Sequence, residues 1–188
     1  MDKYNVYQDM SRRTGGEIYL GIVGPVRTGK STFIKRFMDL MVLPGIDNVH
    51  EREQARDELP QSAAGRTIMT TEPKFIPKEA VSVHISDDIQ VKIRLIDCVG
   101  FMVDGASGHM EDDKDRMVKT PWYEDPIPFT KAAHIGTQKV IRDHSTIGLV
   151  ITTDGSFGEI AGESFAAAEE MAVGELKQIG KPFIVVVN

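Results

Sequence analysis

The sequence predicts one α/β domain with a mostly parallel sheet, one antiparallel hairpin and helices on both faces. Apolar strand segments alternate along the chain with helical segments, as in folds with a parallel sheet. Residues 147–152 are apolar apart from Thr152, and residues 182–187 are fully apolar, which is typical of parallel strands buried on both faces. Residues 81–85 and 90–96 alternate between apolar and polar on either side of Ser-Asp-Asp, and this pattern predicts a hairpin.

The other elements are predicted in chain order from periodicity and from turn residues. A polar helix is predicted within residues 1–15, and a core follows over residues 16–188. That core starts with a strand at 17–23, a helix at 31–42 and a polar connection at 44–73 that is helical at 49–58. The apolar face of helix 31–42 comprises Phe33, Ile34, Phe37, Met38 and Met41. Residues 101–136 form an irregular acidic insert, and helices are predicted at 137–143 and 163–179.

Composition limits the possible classes of protein. The chain has 188 residues and a net charge of −6, which disfavours nonspecific nucleic-acid binding. No apolar run approaches the roughly 20 residues of a transmembrane helix. The one cysteine, Cys98, excludes an intrachain disulfide and is interpreted as a small buried residue of a cytosolic protein. Because the sequence stops at Asn188, directly after a core strand, we expect it to be part of a longer protein.

The most informative segment, residues 24–31, reads Gly-Pro-Val-Arg-Thr-Gly-Lys-Ser. It matches G-x-x-x-x-G-K-[ST], a phosphate-binding P-loop between a strand and a helix. Backbone N–H groups of such a loop surround phosphate oxygens, Lys30 adds a cation, and Ser31 offers a hydroxyl to Mg²⁺. The residues predicted to contact the nucleotide here are Gly24, Pro25, Val26, Arg27, Thr28, Gly29, Lys30, Ser31 and Thr32.

Asp97 ends the strand at residues 90–96, so a parallel sheet would bring it beside the P-loop. Its carboxylate suits the Walker B role of binding Mg²⁺ directly or through water. Residues 97–100 also read Asp-x-x-Gly, in which the N–H of Gly100 would sense the terminal phosphate. These features favour a nucleoside triphosphatase over a small-molecule kinase.

A threonine-rich loop supplies the remaining candidates. Residues 65–73 read Gly-Arg-Thr-Ile-Met-Thr-Thr-Glu-Pro, and a threonine there would close over phosphate and Mg²⁺. Thr71 and Thr70 compete for this role, and Thr67 is less favoured. The predicted metal ligands are Ser31, Thr71 and Asp97, and the predicted catalytic residues are Lys30, Thr70, Thr71 and Asp97.

Three positions depart from many GTPases. Phe101 follows Gly100, where a glutamine often orients water, so we expect slow turnover with Thr70 or Thr71 positioning the water. Val26 and Arg27 replace loop glycines, and Val26 would crowd an arginine supplied by a partner. Arg27 either contributes charge to its own site or is simply solvated, and the second alternative is favoured.

The base that the nucleotide carries is not predicted by these motifs. Guanine specificity in this kind of fold usually comes from Asn-Lys-x-Asp after the strand assigned to residues 182–187. Asn188 occupies the first position of that motif, and the sequence ends there. ATP and GTP therefore remain alternatives at this point. A nucleotide-bound scaffold that does not hydrolyse its ligand is a further alternative, which the missing glutamine favours.

Beyond the P-loop, the chain resembles the ATPase domain of the stage IV sporulation protein A family, morphogenetic ATPases of spore-forming Firmicutes. The resemblance extends along essentially the whole chain. It rests on residues 13–21, 24–44, 57–75, 95–100, 120–129 and 145–155. Among them, TPWYEDPIPF matches no general nucleotide motif.

This resemblance implies a fold of the translation-factor-related GTPase type that nevertheless binds and hydrolyses ATP with Mg²⁺. Lys30 would take the Walker A role, Asp97 the Walker B role, and Thr70 and Thr71 would sense phosphate. Hydrolysis would drive self-assembly of a static polymer, the basement layer of the spore coat. The implied location is the mother-cell cytosol at the forespore surface. The implied partners are a small amphipathic membrane-bound peptide and other coat proteins, bound through regions largely outside this sequence.

Overall fold

The computed structural model describes residues 15–60, 71–86, 89–112, 114–156 and 158–188. Five strands form the central sheet: β1 (Glu17–Val23), β2 (Lys74–Ser86), β3 (Ile89–Asp97), β8 (Ile147–Thr152) and β9 (Phe183–Val187). Their order is β2-β3-β1-β8-β9. Only β2 is antiparallel to its neighbour, so the predicted sheet and its hairpin are confirmed. The N-terminal helix predicted within residues 1–15 lies almost wholly outside the described residues.

Helices cover both faces of the sheet, as predicted. On one face lie α1 (Lys30–Phe37) and α2 (Val49–Asp57), which contribute Ile34 and Ala55 to a core with Leu20 and Leu95. On the other face lie α3 (Phe129–Lys139) and α4 (Ala166–Gln178). There Ala172 and Leu176 pack with Val23, Ile96 and Val150. The sheet is thus a middle layer, and its central strand β1 is buried on both sides.

The helix predicted over 31–42 changes form at its end. The α-helical part ends at Phe37 and continues as a π-helical turn, Met38–Val42. Because the π turn bonds i to i+5, the buried position moves from Met41 to Val42. Met41 is 62% exposed and Val42 is fully buried. The prediction that Met41 belongs to the apolar face was therefore wrong.

The segment predicted as an irregular insert is more ordered than its composition suggested. It contains two small antiparallel hairpins, β4 (Met110–Glu111) with β5 (Lys114–Asp115) and β6 (Met117–Thr120) with β7 (Tyr123–Pro128). Helix α3 begins at Phe129, eight residues before the predicted start, and a π turn at Val140–His144 extends it. The buried apolar residues Phe129, Ala132 and Ala133 drive this early start and were missed because prolines precede them.

Two strands differ from their predicted surroundings or length. Strand β2 begins at Lys74, seven residues earlier than predicted, and pairs with β3 across an irregularity between Ile76 and Val81. Strand β9 was predicted to be buried, but it is an edge strand here, and Ile184 is 60% exposed. The predicted helix at 163–179 forms a 3-10 turn, Gly162–Phe165, followed by α4.

Candidate nucleotide site

The P-loop connects the buried end of β1 to the start of α1. Gly24 has φ +121° and Gly29 has φ +89°, conformations that L side chains rarely adopt. Gly29 is the N-cap of α1, and no side chain caps its N–H groups. Helix N-terminal N–H groups without side-chain caps favour a bound anion, so the start of α1 is suited to phosphate.

Sheet register brings Asp97 to this loop. Strands β1 and β3 are parallel, with Ile22 opposite Asp97, so both carboxyl ends lie side by side. The Ser31 hydroxyl donates to Asp97 Oδ2 at 3.0 Å. The second oxygen, Asp97 Oδ1, is buried and has no hydrogen-bond partner among the described residues. A buried oxygen without a partner is costly, and a hard cation is a fitting ligand for it.

Burial perturbs both charged groups at the site. Lys30 is only 5% exposed, and desolvation lowers the pKa of its ammonium group, although Cys98 and Asp97 oppose the shift. Desolvation raises the pKa of Asp97, opposed mainly by the charge of Lys30. Lys30 Nζ donates to the carbonyl oxygen of Pro25. A buried cation held by one loop carbonyl is well placed to accept an anionic ligand.

Gly100 lies directly against the P-loop. Its φ is +97°, and an added Cβ would lie 2.3 Å from the Gly24 carbonyl oxygen and 2.7 Å from Lys30 Nζ. Phe101 continues this contact, because its N–H donates to Gly24 O at 3.0 Å and its carbonyl accepts from Val26 N–H at 2.9 Å. Phe101 and Val26 are each 1% exposed. The Asp-x-x-Gly segment is therefore joined to the loop by backbone bonds.

Two polar side chains, those of Thr28 and Asn188, form hydrogen bonds that hold the P-loop on the side of β8 and β9. The Thr28 hydroxyl is fully buried and hydrogen-bonds to Ile151 O at 2.7 Å. Asn188, at the end of β9, donates from Nδ2 to Thr28 O at 3.2 Å. A Cβ on Gly29 would approach that same nitrogen to 2.6 Å. Asn188, singled out from sequence for base recognition, thus supports the P-loop backbone.

Arg27 adopts a left-handed conformation with φ +61°. Its side chain is exposed, and the guanidinium hydrogen-bonds to the hydroxyl of Ser107 at 3.2 Å. Arg27 lines a cavity of about 610 Å³, and Asp104, Ser164 and Phe165 also line it. Arg27 therefore joins the P-loop to the segment after Gly100, and a role for its charge at the nucleotide remains a prediction.

The remaining predicted residues are placed differently. Thr71 is buried, and Thr32 is exposed on the first turn of α1. Thr67 and Thr70 lie outside the described residues, so the choice between Thr70 and Thr71 stays open.

Burial raises the pKa of the Cys98 thiol to about 11, despite the opposing charge of Lys30. A thiol of this pKa stays protonated at neutral pH, as suits a small buried side chain.

Helix α3 contains a contact that sequence reasoning missed. The hydroxyl of Thr137 accepts a hydrogen bond from Gly100 N at 3.1 Å. One residue earlier, a Cβ on Gly136 would lie 2.4 Å from Thr71 O. No local motif marks a threonine inside a helix as a loop contact, so only the tertiary fold identifies it.

Among the described residues, no helix has the length and apolar character needed to span a membrane.

Comparison with known proteins places this site in a family context. The family model described as "Stage IV sporulation protein A, ATPase domain" matches residues 1–188. Three curated relatives are named Stage IV sporulation protein A. They are from Bacillus subtilis (strain 168), 62% identical, Bacillus anthracis, 60% identical, and Clostridioides difficile (strain 630), 54% identical. They match 100%, 100% and 98% of this chain, which spans 38% of the length of each relative.

Proposed function

The chain belongs to the ATPase-domain family of stage IV sporulation protein A, and from that membership we propose that it binds and hydrolyses ATP with Mg²⁺. The observation that carries the proposal is the cluster at the carboxyl ends of β1 and β3. Lys30, Ser31 and Asp97 converge there on the N-terminus of α1. Such a cluster offers a cation, a hydroxyl and a carboxylate to the phosphates of one nucleotide.

The donor set fits Mg²⁺. Asp97 Oδ1 is buried without a partner among the described residues, and Asp97 Oδ2 accepts from the Ser31 hydroxyl. Asp97 and Ser31 would hold the ion, and Thr71 is the third proposed ligand. A Mg²⁺ ion held there would supply positive charge that offsets the negative charge of the nucleotide's phosphates.

The chain's own residues would divide the remaining work. Lys30 would bind the terminal phosphates from its buried position, and the N–H groups at the start of α1 would orient them. Gly100 N–H would donate to the terminal phosphate. Buried Phe101 carries no group that could orient water, so we propose slow hydrolysis in which Thr70 or Thr71 positions the water.

We extend the proposal to the fold type and the wider role. The order β2-β3-β1-β8-β9, with antiparallel β2 and Asp97 to Gly100 after β3, suits the translation-factor-related GTPase type. ATP hydrolysis would be coupled to self-assembly of a static polymer in the spore-coat basement layer. The proposed location is the mother-cell cytosol at the forespore surface. The proposed partners are an amphipathic membrane-bound peptide and other coat proteins. Nucleotide-triggered sedimentation of the full-length protein tests the assembly step.

A second candidate is a nucleotide-bound scaffold that does not hydrolyse its ligand, or a switch specific for GTP. Phe101 favours the scaffold because it occupies the position where a glutamine often orients water. Asn188 favours the GTP switch because it lies against the P-loop at Thr28, where a base-recognition motif would start.

Phosphate release measured with ATP and GTP in parallel separates these candidates. We expect Mg²⁺-dependent release from ATP, slower release from GTP, and loss of both when EDTA removes the metal. A clear preference for GTP would overturn the proposed base specificity. Binding of ATP without any release would favour the scaffold.

A further inference from the structure

Helix α3 contacts three positions in the loops around the proposed phosphate site. The ring of Phe101 meets that of His134 edge to face at a centroid distance of 5.1 Å. Gly136 leaves space for the carbonyl of Thr71, since an added Cβ would lie 2.4 Å from that oxygen. Thr137 accepts the hydrogen bond from Gly100 N–H at 3.1 Å. Helix α3 therefore contacts both predicted phosphate-sensing segments.

The Thr137 hydroxyl is fixed in orientation. Thr137 is fully buried, and its hydroxyl donates to Ala133 O at 2.8 Å, one turn earlier in α3. With its proton used in that bond, the oxygen presents a lone pair to Gly100 N–H. The arrangement makes Thr137 an acceptor for Gly100 and not a donor.

Helix α3 is itself anchored to its neighbour α4. Gln138 and Arg142 both donate to the carboxylate of Glu175, at 2.6 Å each. Burial alone would raise the pKa of Glu175, but these bonds outweigh it and hold that pKa below its ordinary value. Because the helix is held on this side, a change at the Gly100 contact is expected to move the loop and leave α3 in place.

The Gly100 N–H lies where two acceptors would compete for it. An added Cβ on Gly100 would be 2.7 Å from Lys30 Nζ, so the residue lies beside the proposed phosphate-binding cation. A terminal phosphate oxygen bound by Lys30 would draw the same N–H that Thr137 now accepts. One N–H makes a full-strength bond to only one of them.

We propose that Thr137 is a positioning residue whose hydroxyl holds the Gly100 amide in its nucleotide-free position and thereby weakens the preference for triphosphate over diphosphate. The inference rests on the proposed function, since it assumes that a nucleoside triphosphate binds the P-loop. Loss of the Thr137 bond frees the N–H for the terminal phosphate. The net contribution of one hydrogen bond corresponds to roughly a 2- to 10-fold change in an equilibrium constant.

The test compares Thr137→Val, which removes the hydroxyl at nearly constant shape, with Thr137→Ser, which keeps it. Dissociation constants are measured for ADP and for a non-hydrolysable ATP analogue, each with Mg²⁺. We expect the ratio of the ADP constant to the analogue constant to rise roughly 2- to 10-fold in Thr137→Val and to stay at the wild-type value in Thr137→Ser. Thr152→Val is the control for the loss of a buried threonine hydroxyl. The hydroxyl of Thr152 donates a hydrogen bond to the carboxylate of Glu169 at 2.7 Å.

Hydrogen exchange in the nucleotide-free protein gives an independent measurement. The Gly100 amide should exchange faster in Thr137→Val than in wild type, and at the wild-type rate in Thr137→Ser. If Thr137→Val does not fold, Thr137→Ala removes the same hydroxyl with less bulk. Normal nucleotide binding with an unchanged ratio would overturn this inference alone. Failure of the wild-type protein to bind any nucleotide would overturn the proposed function and this inference with it.

Discussion

Replacement of Lys30 by methionine is expected to lower the rate of ATP hydrolysis by at least about 100-fold, because one preorganised charge at a reacting phosphate contributes on that scale. Lys30 is buried beside Asp97, and its Nζ donates to the carbonyl oxygen of Pro25 in the P-loop. Methionine keeps most of the side-chain volume and removes the charge. Phosphate release under saturating ATP measures the effect, and the thermal midpoint checks that the fold is kept.

The matched control is Lys35→Met, because Lys35 is exposed on the same helix α1. Lys35→Met alters the net charge by the same amount as Lys30→Met but leaves the P-loop intact. We expect Lys35→Met to hydrolyse ATP at the wild-type rate. If Lys30→Met also hydrolysed ATP at the wild-type rate, ATP would be hydrolysed somewhere other than at this P-loop.

Substitution of Gly100 by alanine is expected to destabilise the fold and to abolish the preference for triphosphate. The new Cβ would lie 2.3 Å from Gly24 O and 2.7 Å from Lys30 Nζ, so the loop or the lysine must move. Overpacking of this kind typically costs about 1–3 kcal/mol, in addition to the penalty for a left-handed backbone. Urea unfolding measures the stability, and the ratio of ADP to ATP-analogue dissociation constants measures the preference.

Gly105→Ala separates the two contributions. Gly105 has φ +85°, close to the +97° of Gly100, but a Cβ there meets nothing within 4 Å. This variant carries the conformational penalty of about 1–2 kcal/mol without the collision. An equal loss of stability in both variants, with nucleotide preference intact in Gly100→Ala, would contradict the close approach of Gly100 to Lys30.

The central sheet followed from the sequence because each strand has a local signature. β1 and β8 form over the residues predicted, since both are apolar runs bounded by turn residues. Asp97 was expected beside the P-loop from strand order alone, and β1 and β3 do place it there. The roles of Lys30, Ser31 and Asp97 remain predictions, and Lys30→Met and Asp97→Asn test two of them.

Features fixed by tertiary contacts were missed. The exposure of β9 depends on which elements cover it, and its apolar sequence carries no information on that. The early start of α3 depends on the burial of Phe129 against the rest of the protein. Thr137 and Gly100 are 37 residues apart, and no spacing rule connects an internal helix threonine to a distant glycine.

The most direct test of the proposed Mg²⁺–ATP site is the effect of Mg²⁺ on ATP affinity in wild type and in Asp97→Asn. The variant keeps the size of the side chain and removes the charge of the carboxylate whose Oδ1 has no partner among the described residues. Calorimetric titration with Mg²⁺ or EDTA should show that the metal strengthens ATP binding to wild type by at least about tenfold, or 1.4 kcal/mol. It should change binding to Asp97→Asn by far less. An equal effect of Mg²⁺ on both proteins would contradict the assignment of Asp97 as the metal-binding carboxylate.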